Sequence, residues 1–112
     1  RQLFAQTKHA DRVTLPPTVP GNFHVYNQFT VRVPKRDELR TFLKEKGVGT
    51  EVYYPLPMHL QNCYRDLGHQ KGSFPLSEQA AEEVMSLPIY PELTEAQQSF
   101  VVEMIAEFYK RG

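Results

Sequence analysis

The stretch from Val52 to Gln61 holds the densest group of side chains that could bind a ligand. It contains Tyr53, Tyr54 and His59 together with two prolines that stiffen the chain. Tyrosine offers a flat apolar face with a hydroxyl at its tip, and histidine and glutamine add directional hydrogen bonds. That mixture suits a sugar, a nucleotide base or another polar ring. The residues alone favour a structural alternative, in which the two tyrosines divide between core and surface and His59 caps a turn.

Other reactive patterns are sparse in this sequence. It has no glycine-rich phosphate loop, no HExxH pair and no GxSxG elbow, and its four histidines are too scattered to define a metal site. Cys63 follows His59 at a spacing that suits a nucleophile and its base, but no third residue orients them, so a structural cysteine is preferred. None of the six lysines has the apolar surroundings of a Schiff-base amine. We therefore predict no catalytic, cofactor-binding or metal-binding residue in this chain.

Length and charge narrow the class of protein. A chain of 112 residues supports one hydrophobic core, and 40% apolar with 23% charged residues is typical of a globular domain. Thirteen basic and thirteen acidic residues cancel, which argues against nucleic-acid or membrane partners. The single cysteine excludes an internal disulfide and fits a reducing compartment. No segment reaches the roughly 18 apolar residues of a membrane span. We expect a cytoplasmic protein.

Strands are predicted on both sides of the candidate binding stretch. Polarity alternates from His24 to Val33, the best strand pattern in the chain, and Val48 to Tyr54 is predicted as a second strand. Asn27 falls on the apolar face of the first strand, where an unpaired amide would cost about 1–3 kcal/mol. A bond to neighbouring backbone is favoured over ligand binding there. Val13 to Leu15 is predicted as a short edge strand.

Helices are predicted from apolar residues that recur at helical spacing. Gly47 is expected to cap the second helix, Ser77 the third, and a capping box of Thr94 and Gln97 the last. Helices are predicted at Arg36–Lys46, at Ser77–Met85 and after Thr94, and the end of a further helix is predicted within Arg1–Asp11. Asn62–Leu67 is predicted as a short helical turn, Gly68–Ser73 as an exposed loop and Ser86–Pro91 as an extended segment.

This order of elements predicts one two-layer α+β domain over residues 1–112. A small, mainly antiparallel sheet would be covered on one face by helices. The many charges of the helix from Arg36 to Lys46 are expected to form a solvated face.

Four motifs in order resemble one enzyme family. They are Gly21 to Phe29, Arg36 to Leu39 before Gly47 to Thr50, Tyr53 to His59, and Ser86 to Pro91 with Leu93 and Thr94. Together they resemble the C-terminal small domain of the DegT/DnrJ/EryC1/StrS sugar aminotransferases. The resemblance covers nearly the whole chain.

The resemblance implies a pyridoxal 5'-phosphate enzyme of the aspartate aminotransferase fold type. Such an enzyme is usually a homodimer that moves an amino group from glutamate to a keto sugar on a nucleotide, for surface-polysaccharide or antibiotic-sugar biosynthesis. The family's Schiff-base lysine and cofactor contacts belong to a large N-terminal domain. We therefore expect the chain to be part of a larger enzyme and to be inactive by itself.

The resemblance also identifies substrate-side residues. Tyr53 and Tyr54 stand where the family often has a His-Tyr pair before proline, so this chain lacks an imidazole at Tyr53. His59 matches the histidine that follows the Pro-Met step, and Asn27 and Gln28 match a polar pair on the central strand. These five residues are predicted to contact substrate rather than to react.

Two other functions remain open at the level of sequence. The chain could be a non-catalytic ligand-binding or regulatory module of the same fold, or its parent protein could have lost catalysis. A domain that belongs to a larger enzyme should also expose apolar surface that its neighbour covers, in a patch above a few hundred Å2, and this could cause self-association.

Overall fold

A short antiparallel sheet and four α-helices form the frame of the protein in a computed structural model that describes all 112 residues. The predicted α+β class and antiparallel sheet are confirmed. No helix combines the length and apolar composition needed to cross a membrane. The elements are α1 (Gln2–Gln6), β1 (Phe29–Arg32), α2 (Arg36–Glu45), α3 (Pro75–Glu83), β2 (Val84–Leu87) and α4 (Glu95–Lys110), with 3-10 helices at Ala10–Arg12, Met58–Leu60 and Asn62–Leu67.

The sheet is wider than its two strands because single bridges extend both edges. β1 pairs with β2 in antiparallel register, with Phe29 opposite Leu87. Thr14 bridges to Arg32 outside β1, and Glu51 bridges to Ser86 outside β2. The predicted strands at Val13–Leu15 and Val48–Tyr54 are thus each reduced to one bridge. Pro55 and Pro57 cannot donate ladder hydrogen bonds, so the outer segment cannot continue the sheet beyond Tyr54.

The predicted strand from His24 to Val33 is wrong over its first half, since β1 begins only at Phe29. Tyr26 has φ 49°, a left-handed conformation that a strand does not contain. Its backbone N–H donates to His24 Nδ1 at 3.0 Å, and the two rings stack with centroids 4.1 Å apart. A side chain that bonds local backbone competes with sheet pairing. As a result Asn27 and Gln28 lie exposed in a bend before β1.

Helices α2 and α4 match their predicted signals closely. α2 ends at Glu45, and Gly47 follows with φ 81°, the left-handed conformation expected of a C-terminal cap. At the start of α4, Gln97 N donates to Thr94 Oγ1 at 3.2 Å and Thr94 N donates to Gln97 Oε1 at 3.0 Å. The predicted capping box is therefore confirmed.

Helix α3 differs from its prediction at both ends. It begins at Pro75, which suits a first position because proline has a fixed φ and no N–H, so Ser77 lies inside the helix and is not its cap. It ends at Glu83, because Val84 turns to φ −80°, ψ 141° and enters β2. Met85, predicted as helical, is instead a fully paired strand residue with 1% exposure.

The core lies where β1, α2, β2 and α4 meet. Val31, Leu39, Leu43 and Ile105 are completely buried there. Burying each such side chain stabilises the fold by about 1.5–3 kcal/mol. The core therefore packs the sheet against α2 and α4. This packing also holds in place the segment that precedes β1 and the segment that follows β2.

Arg36, at the start of α2, corrects the expectation that the charges of this helix are solvated. Its side chain is 8% exposed, and its Nη1 donates to Ala81 O at 2.6 Å and to Val84 O at 2.9 Å. Its Nε donates to Asp37 Oδ1 at 2.7 Å. The guanidinium therefore satisfies carbonyls at the end of α3 and ties α2 to the α3–β2 junction.

Candidate functional site

A cleft of about 250 Å3 brings together three of the five residues that the sequence predicted to bind substrate. We call it the β2 cleft, because the end of β2 and the segment after it form one wall. The residues that line it are Asn27, Gln28, Gly49, Thr50, Glu51, Tyr53, Ser86, Leu87, Pro88, Ile89 and Tyr90.

Hydrogen bonds from several elements hold the walls of the β2 cleft in place. Glu51 N donates to Ser86 O at 3.1 Å and Ser86 N donates to Glu51 O at 2.7 Å, which fixes the outer segment against β2. Arg40 of α2 donates to the hydroxyl and carbonyl oxygens of Thr50 at 3.1 and 3.2 Å. The hydroxyls of Thr30 and Ser86 lie 2.8 Å apart across the two strands. These bonds therefore hold three polar residues of the cleft lining in place: Thr50, Glu51 and Ser86.

Asn27 and Gln28 enter the cleft from the bend that replaces the predicted strand. Neither residue belongs to the sheet and both are exposed, so packing in the core does not restrict their amides. A carboxamide offers two donors and an acceptor. The predicted bond between the Asn27 side chain and neighbouring backbone does not form, and the exposed amide is available to a ligand.

Tyr53 and Tyr54 are both at the surface. Tyr53 is 53% exposed and lines the β2 cleft, whereas Tyr54 is 69% exposed and lies outside its lining. The alternative in which the pair divides between core and surface is therefore wrong. Large exposed rings next to a polar cleft offer stacking area to a ring-shaped ligand.

His59 lies apart from the β2 cleft, in the 3-10 helix Met58–Leu60. Its side chain is 7% exposed, and its Nε2 lies 3.4 Å from Glu78 Oε2 of α3. That distance permits electrostatic attraction but exceeds the roughly 2.7–3.2 Å of an ordinary N–H···O hydrogen bond. Its ring also meets the ring of Phe74 edge-on, with centroids 4.9 Å apart. His59 does not cap a turn.

Glu78 organises the loop beside His59. Gly72 N donates to both carboxylate oxygens at 2.9 Å, and Phe74 N donates to Oε2 at 3.3 Å. The Gly72 N–H bond is the main cause that lowers the pKa of the Glu78 carboxyl, followed by the Phe74 N–H and the nearby His59.

Cys63 does not pair with His59. Its thiol is exposed and its nearest polar contact is Gln61 Oε1, at 3.8 Å. His59 Nε2 lies 3.4 Å from Glu78 Oε2 instead. The pairing suggested by sequence spacing is absent from the structure, and so is any cluster of three or more histidine, cysteine, aspartate or glutamate residues able to hold a metal.

The segment from Leu87 to Tyr90 was not among the predicted site residues. It lines the β2 cleft on one side and, on the other, an apolar groove of about 530 Å3 that α1 and the start of α4 complete. The sequence did contain a signal, since Ser86 to Pro91 is one of the motifs that carry the family resemblance. The motif indicated the family, but it did not predict that this segment lies beside Tyr53.

Comparison with known proteins decides the family. The sequence profile described as "DegT/DnrJ/EryC1/StrS aminotransferase family" matches residues 1–106. The chain belongs to this family. The resemblance inferred from the four motifs is thereby confirmed.

Individual members of the DegT/DnrJ/EryC1/StrS family match most of this chain. It is similar to the pleiotropic regulatory protein of Geobacillus stearothermophilus, with 56% identity over 89% of this chain. It is also similar to dTDP-3-amino-3,4,6-trideoxy-alpha-D-glucose transaminase of Streptomyces venezuelae, with 39% identity over 88% of this chain. The crystal structure of S. venezuelae DesV in complex with a ketimine intermediate covers 99% of this chain, with a TM-score of 0.85 and 35% identity.

These relatives are much longer than this family member. The chain spans 27% of the Geobacillus protein, 26% of the Streptomyces transaminase and 31% of the DesV chain. It therefore corresponds to between a quarter and a third of each protein it matches.

Proposed function

We propose that this chain is the C-terminal small domain, residues 1–112, of a sugar aminotransferase. The complete enzyme would use pyridoxal 5'-phosphate to move an amino group from glutamate to a keto sugar carried on a nucleotide. Membership of the family supports this proposal, and so does the Streptomyces relative, which is a transaminase of a dTDP-linked amino sugar. The coverage of about a quarter of the relatives' length is consistent with a domain of a larger enzyme.

The β2 cleft is the observation that carries the role of this chain. Asn27 and Gln28 converge with Tyr53 on one cleft although more than twenty residues separate them in sequence. Two amides and a phenol can bond the hydroxyls of a sugar, while the Tyr53 ring stacks on its apolar face. The cleft volume of about 250 Å3 lies below the roughly 300–1,000 Å3 of a complete ligand pocket, which supports a site completed by other residues.

The remaining predicted residues extend this substrate side. Tyr54 stands next to Tyr53 at the surface and His59 follows after Pro57, so we propose that both contact more distant parts of the nucleotide sugar. Because both lie outside the lining of the β2 cleft, this part of the proposal requires a ligand longer than one sugar ring.

Pyridoxal phosphate does not fit the residues of this chain. A Schiff-base lysine requires a shielded site that lowers its pKa, and Lys8, Lys35, Lys44, Lys46, Lys71 and Lys110 are all exposed. We propose that the cofactor is held elsewhere in the polypeptide, and we assign no step of its chemistry to this chain.

The family resemblance also supports the setting of the complete enzyme. We propose a homodimer in the cytoplasm that serves the biosynthesis of surface polysaccharide or antibiotic sugars. The dimer, the compartment and the biosynthetic role are supported by the family resemblance alone.

The decisive experiment uses the full polypeptide that the gene encodes. We expect it to show the visible absorbance of lysine-bound pyridoxal phosphate and to transfer an amino group from glutamate to a dTDP-linked keto sugar. Tyr53→Ala should raise KM for the sugar about tenfold, equivalent to about 1.4 kcal/mol, with a smaller change in kcat, because it removes binding area and no reacting group.

Tyr64→Ala is the matched control, since Tyr64 is also an exposed tyrosine but lies outside the β2 cleft. Its KM should equal that of the parent protein. A full polypeptide that binds no pyridoxal phosphate would contradict the proposed activity. Equal KM values for the two tyrosine variants would contradict the assignment of the cleft.

A regulatory function is the second candidate, and the Geobacillus relative favours it. That protein is 56% identical to this chain and is named a pleiotropic regulatory protein. We propose that a non-catalytic module would retain the β2 cleft for ligand sensing. The same absorbance and transfer assays distinguish the two functions, because a regulatory module need not perform amino transfer.

A further inference from the structure

The two imidazole nitrogens of His59 differ in their exposure to solvent. Nε2 is sealed from solvent and has no well-directed hydrogen bond, while Glu78 Oε2 lies 3.4 Å away. Nδ1 also makes no hydrogen bond within the chain but is not sealed in this way. A neutral imidazole donates from one nitrogen and accepts at the other, so the location of its proton decides what the outer nitrogen can bind.

Glu78 can impose that choice because its carboxylate is held in place and kept ionised. Three backbone N–H contacts from Gly72 and Phe74 fix the two oxygens. An ionised carboxylate only accepts hydrogen bonds. A lone pair on Nε2 facing this carboxylate would be repelled, whereas an N–H there is attracted. Phe74, with its ring 4.9 Å from that of His59, limits rotation of the imidazole.

We propose that Glu78 is a positioning residue that keeps the proton of His59 on Nε2 and thereby presents Nδ1 as a hydrogen-bond acceptor. Nδ1 then selects a donor group on the ligand, either a hydroxyl or an amine. This inference rests on the proposed function, in which His59 contacts the nucleotide sugar. It adds a residue from α3, nineteen positions after His59, that no sequence motif connected with the site.

Nuclear magnetic resonance of the full polypeptide labelled with 15N-histidine tests this inference without sugar or cofactor. At a pH where titration of the same resonances shows the imidazole to be neutral, we expect His59 to show a pyridine-like Nδ1 and a pyrrole-like Nε2 whose proton exchanges slowly with water. His59→Gln identifies the resonances by their disappearance. Because free histidine already prefers the Nε2 proton, slow exchange of that proton is the more decisive signal.

Three variants of α3 separate positioning from folding. Glu78→Ala should abolish the slowly exchanging Nε2 proton and populate both tautomers, and Glu78→Gln should restore part of the signal because it retains an acceptor oxygen. Glu82→Ala removes an exposed glutamate of the same helix and should change nothing.

A proton on Nδ1 of the neutral imidazole in the parent protein would overturn the inference, even if Glu78→Ala failed to fold. An unchanged Nε2 signal in a folded Glu78→Ala variant would overturn it as well. Failure of the proposed function would appear separately, as an absence of amino transfer with the His59 signals as expected.

Discussion

Tyr109 shows how one buried polar group links stability to pH. Its hydroxyl donates to Pro34 O at 2.7 Å, and the residue is 7% exposed within the core. Burial raises the pKa of its phenol from about 10 to about 12, because the charged form is poorly solvated there. The folded state therefore favours the neutral phenol. Its stabilising contribution is complete below pH 10 and is lost as the pH rises through about 12.

Tyr109→Phe should remove both the hydrogen bond to Pro34 O and the titrating phenol, while the aromatic ring stays in the core. We expect a loss of about 1 kcal/mol in the free energy of unfolding at neutral pH, since one buried hydrogen bond is lost. The decline in stability of the parent protein between pH 10 and 12 should become smaller in the variant. Urea denaturation across this pH range measures both quantities.

Tyr64→Phe serves as the control because Tyr64 is exposed and makes no side-chain hydrogen bond. Its stability should follow that of the parent protein at every pH. A Tyr109→Phe variant with the same alkaline decline as the parent would show that Tyr109 is not the group that titrates.

At the scale of elements, the junction of α3 with β2 depends on a side chain from α2. The end of a helix leaves carbonyl groups without partners, and α3 ends at the sheet rather than in solvent. Arg36 donates to Ala81 O and Val84 O there, and its burial is compensated by these bonds and by Asp37. The guanidinium thus sets the point at which helix gives way to strand.

Arg36→Met should destabilise the fold by about 2 kcal/mol, because the variant leaves two carbonyls unpaired while it preserves much of the side-chain volume. Amide hydrogen exchange should accelerate first at Val84, whose N–H closes α3 by donating to Ala80 O. Chemical denaturation and exchange measured by nuclear magnetic resonance report the two effects.

Arg65→Met is the matched control, because Arg65 is exposed and donates only to the side chain of its neighbour Asn62. It should change the free energy of unfolding by less than about 0.5 kcal/mol. Equal losses for the two variants would indicate that the carbonyl contacts of Arg36 contribute nothing specific.

At the scale of the whole molecule, exposed apolar residues concentrate on one segment. Eight of the fourteen large hydrophobic residues that are exposed lie between Tyr53 and Leu76. Leu67 is 65% exposed and Leu76 is 80% exposed. The area that these residues form together stays a prediction, but their clustering agrees with the expectation that other protein surface covers this part of the fold.

We expect the 112-residue chain to self-associate through this segment. Leu67→Gln combined with Leu76→Gln should raise the dimer dissociation constant at least about tenfold, since each leucine contributes about 1.5–3 kcal/mol when fully buried. Sedimentation equilibrium over a range of concentrations measures the change.

Val25→Gln is the control, because Val25 is 76% exposed but lies outside the segment. It should leave association unchanged. A monomer at all concentrations, or equal effects of the two substitutions, would contradict a role for this segment.

Local signals in the sequence determined α2, α4 and the family. The glycine after α2 and the capping box of α4 act within a few residues, so their effect can be recognised from local sequence, and the spacing of Leu39 and Leu43 marks the face of α2 that the core buries. Asn27, Gln28 and Tyr53 were likewise predicted to be site residues from motifs; the structure places these three in the lining of one cleft, and their role in binding stays a prediction.

Only the tertiary structure decided where strands end and what His59 contacts. Residues 24–28 alternate like a strand, but Tyr26 bonds to His24 and no neighbouring strand pairs with it. Met85 fits a helical pattern, yet pairing with Val31 holds it in β2. The partner of His59 lies on a helix that sequence spacing could not orient. Strand pairing and side-chain pairing across long separations are set by the packed core, and a local pattern does not contain that information.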